Sequence, residues 1–173
     1  MVKEVSVGSM TFYRVHLDRG RNAFWAMEEE SEELYETARV LLDPGTGSFT
    51  DEVSERLEYV GSALLVMNRV TLDPPWRGHG LAAVLACEAI TRLTAGCRAI
   101  VCSPGITDLS SDRLAEWDRV NARIASGWEN LGFRLYRDNV YLLSPTSQDL
   151  EEQRGALRRH LAGLGTFWRS DTL

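Results

Sequence analysis

A chain of 173 residues with 44% hydrophobic and 25% charged side chains is sized for one domain whose core needs no staples. Its formal net charge of -6 argues against a broad grip on nucleic acid, which needs a basic face. No run of about 18 apolar residues is present to span a membrane, and residues 1–5 lack the apolar centre of a signal peptide, so a cytoplasmic location is expected.

In chain order, residues 10–18 alternate well enough for a first strand. Residues 21–42 read as one helix, because Phe24, Met27, Leu34, Ala38 and Leu41 recur at roughly helical spacing. Its acidic run, residues 28–33, reads first as a solvated face and second as a clamp for a cationic amine. The stretch 43–47 is a turn, and residues 50–58 suit either a short helix or a strand. Residues 63–72 are long, apolar and partly β-branched, as a buried strand requires. Asp73, Pro74 and Pro75 stop it, since proline cannot donate to a ladder.

Residues 79–95 read as a helix with Leu81, Leu85, Ala89 and Leu93 in one stripe, closed by Gly96. Residues 97–102 are a short buried strand, so the unit is strand–helix–strand and its strands should be parallel. A further helix is expected over 109–130, capped by Asp108 or Ser110, with Leu114, Trp117, Val120, Ile124 and Trp128 on its apolar face. Residues 133–136 and 140–143 read as a closing antiparallel hairpin. Residues 147–163 read as a C-terminal helix that either packs on the domain or forms a homodimer contact. Cys87, Cys97 and Cys102 sit among apolar neighbours, match no zinc spacing and read as core residues; Cys102, near a strand end, is the best nucleophile of the three.

The loop between the apolar strand and the 79–95 helix carries the chemistry. A helix N-terminus offers unpaired N–H groups and a positive dipole end to a phosphate. Gly78 and Gly80 let the backbone approach it, Ala82 keeps the first turn small, and Arg77 supplies a permanently charged, forked donor. The Gly-Lys-Ser/Thr ending of a Walker A loop is absent. A dinucleotide fingerprint fits poorly, because no acidic residue closes the following strand. Residue types alone thus indicate a seat for a diphosphate-like anion.

The wider stretch, roughly residues 60–145, resembles the GNAT superfamily of N-acetyltransferases. Its central motif is Gln/Arg-x-x-Gly-x-Gly/Ala, and Arg77, Gly80 and Ala82 occupy the three fixed positions. A second motif, Asn-x-x-Ala-x-x-Leu-Tyr-x-x-Leu-Gly-Phe, is matched in register by Asn121, Leu131, Gly132 and Phe133, while Ile124, Gly127 and Trp128 replace its Ala, Leu and Tyr. The resemblance implies a single α/β (α+β) domain: a central mixed, mostly antiparallel sheet whose parallel fourth and fifth strands splay apart, flanked by helices. It implies acetyl-CoA as co-substrate, no metal, and a small-molecule or peptide amine as acceptor. Pantetheine would pair with Val70, Thr71 and Leu72, the pyrophosphate would lie on Arg77, Gly78, His79, Gly80, Leu81 and Ala82, Asn121 would face the pantetheine side and Trp128 would lie near the thioester sulfur.

Two departures from the family pattern bear on catalysis. Many members carry at the position of Trp128 a tyrosine that protonates the departing thiolate; an indole N–H donates but does not titrate. Some members carry a glutamate mid-strand, where this chain has residues 64–67, all apolar. Glu55 and Glu58 are then the candidate bases, with Ser103 as an alternative relay and Trp128 as a hydrogen-bond donor. A CoA-binding protein without activity and a toxin-type enzyme acetylating aminoacyl-tRNA are the competing readings.

Overall fold

The computed structural model describes residues 4–58, 60–105 and 114–170. Among these residues five strands form an open sheet: β1 (Gly8–His16), β2 (Ala63–Leu72), β3 (Cys97–Cys102), β4 (Arg134–Arg137) and β5 (Val140–Leu143), in the order β1-β2-β3-β5-β4. Only the β2–β3 pair is parallel. Among the described residues six α-helices flank it: α1 (Ala23–Glu30), α2 (Glu32–Leu41), α3 (Asp51–Arg56), α4 (Leu81–Leu93), α5 (Leu114–Asn130) and α6 (Gln148–Ser170).

Alternation along the central strands builds a core on both faces. Leu64 and Val66 of β2, with Ala99 and Val101 of β3, pack against α1, α2 and α3 through Phe24, Met27, Leu34, Ala38 and Val53. Their neighbours Leu65, Met67, Ile100 and Cys102 turn the other way, onto Ala86, Cys87 and Ile90 of α4, Trp128 of α5 and Leu150 of α6. A strand buried on both faces must be a continuous apolar run, which explains why residues 63–67 carry no polar side chain.

Several expectations need correction. The helix expected over 21–42 is two helices. Ser31 adopts an extended conformation (φ -165°, ψ 157°), and its hydroxyl accepts from the Leu34 N–H at 3.2 Å, capping α2. The ambiguous 50–58 stretch is the short helix α3, capped by Thr50. The splayed pair is second and third among the described strands, not fourth and fifth, because the chain between β1 and β2 is spent on three helices. The C-terminal helix runs to Ser170, well past residue 163, and packs on α4. The expected caps at Asp108 and Ser110 lie outside the described residues, as does the 106–113 part of the segment before α5. Among the described residues no helix is long and apolar enough to cross a membrane.

Candidate functional site

The parallel β2–β3 pairing ends at Met67 opposite Cys102, yet β2 continues five residues further, to Leu72. The cause is visible in the other neighbour of β2. Thr11 pairs with Arg69 and Phe12 with Met67, so Asn68 is one extra residue on β2, a β-bulge. A bulge bends its strand and increases its twist. Here it carries the outer half of β2 away with β1, and among the described residues no strand pairs with the β3-facing backbone of that half. Backbone N–H and C=O groups left outside a ladder remain strong hydrogen-bonding groups.

The gap is a cleft of about 1010 Å³ at the C-terminal ends of the two parallel strands, the end at which open α/β sheets bind ligands. Its floor and edges come from Val66 to Thr71 of β2 and from Ser103, Pro104 and Gly105 after β3. Helix α2 forms one wall through Glu33, Glu36, Thr37, Arg39 and Val40; α5 contributes Asn121 and Ile124; the β4–β5 turn contributes Arg137, Asp138 and Asn139. That turn has positive φ at Asp138 (50°) and Asn139 (60°), the pattern of a tight hairpin, and the Asn139 amide donates to the Pro104 carbonyl at 2.6 Å. The hairpin thereby holds the strand end that borders the gap.

Both glutamates of the cleft and its three arginines lie in ion pairs. Arg69 donates to Glu33 at 2.8 Å and Arg39 to Glu36 at 3.2 Å. The Thr37 hydroxyl is spent on the Glu33 carbonyl at 3.2 Å. The Arg137 guanidinium lies 3.8 Å from Glu52 and over the Tyr136 ring.

Of the residues singled out from sequence, Val70, Thr71, Ser103 and Asn121 come together in this cleft. Residues 77–82 do not line it; they lie beyond the end of β2. There, a short 3₁₀ turn, Pro74–Trp76, leads to Arg77, whose Nε donates to the Leu72 carbonyl at 2.7 Å and ties the loop back to the strand. Gly78 (φ 80°) and Gly80 (φ 72°) are both left-handed, a conformation that favours glycine, and Gly80 is the N-cap of α4. With no capping side chain at Gly80, the first N–H groups of α4 are left to another partner.

The candidate catalytic residues are scattered. Glu55 is exposed on α3. Glu58 lines a separate hollow of about 540 Å³ with Arg56, Arg98 and Arg134. Trp128 is 8% exposed, in the core with Leu131, Phe133 and Tyr141, and is not among the residues lining the cleft; Ile124, one turn earlier on α5, is. Cys102 is buried, and desolvation pushes its thiol far up, so it is no nucleophile. Burial, and then Glu129, also raises the Tyr141 hydroxyl; burial and Glu52 raise that of Tyr136. Among the described residues no cluster of His, Cys, Asp or Glu is arranged to hold a metal.

Sequence reasoning missed Asn68, Arg69 and the α2 wall. A polar side chain interrupting an apolar strand was the available signal for the bulge. Nothing local marked which carboxylates of the acidic helix face the sheet. No family model matches this chain, and neither a curated protein nor a solved structure matches it.

Proposed function

We propose that this chain transfers an acetyl group from acetyl-CoA to a primary amine, on a GNAT-like scaffold. One observation supports the reading above the others: the bulge at Asn68 parts the β2 and β3 strands and leaves a half-strand of backbone open along a cleft. A pantetheine arm is an extended chain with two amides, and such a chain pairs with an open strand edge as a further strand does. The loop with left-handed Gly78 and Gly80 follows directly, and its helix start suits a pyrophosphate.

In this reading the acceptor amine reaches the thioester from the α2 side of the cleft, past Glu33 and Glu36. The neutral amine forms the new N–C bond, the C–S bond breaks, the amine gives up a proton and the thiolate leaves. Rate comes chiefly from holding the two reactants together. Glu33 and Glu36 are the carboxylates that α2 adds to the cleft lining, and in this reading they replace Glu55 and Glu58 as the residues to test for proton removal.

A CoA-binding protein without turnover is the second reading. It is favoured by the burial of Trp128 and by the ion pairing of both cleft glutamates. The test is release of CoA thiol from acetyl-CoA over a panel of primary amines, beside the thermal shift caused by CoA. Amine-dependent thiol release supports the transferase. A thermal shift without thiol release supports the binder. No shift and no release removes both.

A further inference from the structure

We propose that the far end of α6 belongs to the ligand site, with Trp76 and Trp168 forming a platform for the adenine of CoA. The proposal rests on the acetyl-CoA reading above. It starts from where α6 goes. It is anchored at the middle of α4: the Leu150 carbonyl accepts from the Cys87 thiol at 3.8 Å, and Arg154 and Arg158 grip Glu88 at 3.2 and 2.7 Å. Then α6 outruns the start of α4 and reaches the loop itself. His160 Nε2 lies 2.6 Å from the His79 carbonyl oxygen, as a donor to it, and 3.3 Å from where a Cβ on Gly80 would stand.

Eight residues later, about 12 Å along the helix, the Trp168 ring meets Trp76 at 5.5 Å and His79 at 5.6 Å, edge to face in both cases. All three rings are half-buried. Neither tryptophan belongs to either apolar core of the sheet, so filling the interior does not account for them. Two indoles beside a loop suited to a pyrophosphate are placed where the base of the same nucleotide would lie, and bases stack on aromatic rings whatever their sequence identity.

The same contacts decide between a wall and a lid. A lid must lift at small cost. The body of α6 is fixed: Leu150 is buried, Leu157 packs against the same core, and one carboxylate is held by two guanidiniums. The helix end therefore adds to the site instead of blocking it, and its removal weakens binding.

Calorimetric titration of the full chain with CoA and with 4′-phosphopantetheine, which lacks the nucleotide, tests this. Trp168→Ala and Trp76→Ala should each weaken CoA by roughly tenfold and leave 4′-phosphopantetheine within about twofold. Trp168→Phe, which keeps a stacking ring, should restore most of the loss, and an unchanged melting temperature without ligand shows that each variant is folded. CoA affinity that is unchanged or higher in the alanine variants overturns the platform while the acetyl-CoA reading stands. An equal loss for both ligands also overturns it, since the effect would then not lie at the base. A parent chain that binds neither ligand overturns the acetyl-CoA reading and this inference with it.

Discussion

Glu88 shows how much one side chain can fix. The guanidiniums of Arg158 and Arg154 hold its carboxyl at about 2, against an ordinary value of 4.5. The folded-state value is the lower one, so the clamp contributes fully above about pH 4.5 and fades as pH falls toward about 2. Both arginines reach it from α6, and the group is partly exposed, so the contribution is modest. Glu88→Gln should cost about 1 kcal/mol near neutral pH, a penalty that shrinks at about pH 3; urea unfolding at the two pH values measures it. Gly80 is the second residue of consequence. Its φ of 72° strains any other side chain, and a Cβ there approaches His160. Gly80→Ala should lower stability by about 1 kcal/mol, read as a lower melting temperature. Gly80→Glu also sets a negative charge at the helix start; on the proposed acetyl-CoA reading, acetyl-CoA should raise the melting temperature of the parent and not that of this variant. A rise equal to the parent's would show that the cofactor lies elsewhere.

At the scale of elements, the site depends on ends and junctions more than on helix or strand interiors. Ser31 separates α1 from α2 and caps the latter, and so sets which carboxylates of the acidic run turn toward the sheet. Glu33 and Glu36 reach the cleft; Glu28, Glu29 and Glu30 stay exposed. Ser31→Ala should destabilise by about 1 kcal/mol, seen as a lower urea midpoint with an unchanged slope. The run thus splits into carboxylates that line the cleft and carboxylates that face solvent. Sequence periodicity could not separate them, because the break at Ser31 rests on a cap that competes with an otherwise continuous helical pattern. The β4–β5 hairpin is the opposite case. Asp138 and Asn139 tolerate positive φ better than most residues, and the turn falls where their chemistry places it.

The whole molecule is organised around one extra residue. With Asn68 in place, β2 stays paired to β1 along its length but leaves β3 after Met67. Deleting Asn68 would let Arg69 follow Met67 in regular register with Thr11 and Phe12, removing the bulge while keeping the ladder. The expected outcome is a folded protein with native far-ultraviolet circular dichroism that has lost most of its CoA-induced thermal shift. A deletion variant that binds CoA as the parent does would separate the splay from binding. The hydrophobic layers would survive, because the residues that alternate between the two cores, 63–67, precede the deletion.

Local chemistry determined the elements that carry strong, short-range signals. These are the apolar run of β2, stopped by Pro74 and Pro75, the α4 stripe, the β3 strand and the tight turn at Asp138 and Asn139. It also marked the loop with Gly78 and Gly80, whose left-handed backbone is a property of the residues themselves. Tertiary structure decided what those signals surround. Trp128, which the motif assigned to the thioester side, is a core residue because the apolar face of α5 is buried against Phe133 and Tyr141. Glu55 and Glu58 fall away from the cleft because α3 ends before β2 begins, whereas the splay opens at the other end of β2. The α2 wall of the cleft and the Trp168 contact with the turn that follows β2 join residues 33 to 40 with 66 to 71, and 168 with 76. Such pairings depend on how layers stack and how far α6 runs past α4. No periodicity within either partner encodes them, since the free energy that selects them comes from burial shared between elements distant along the chain.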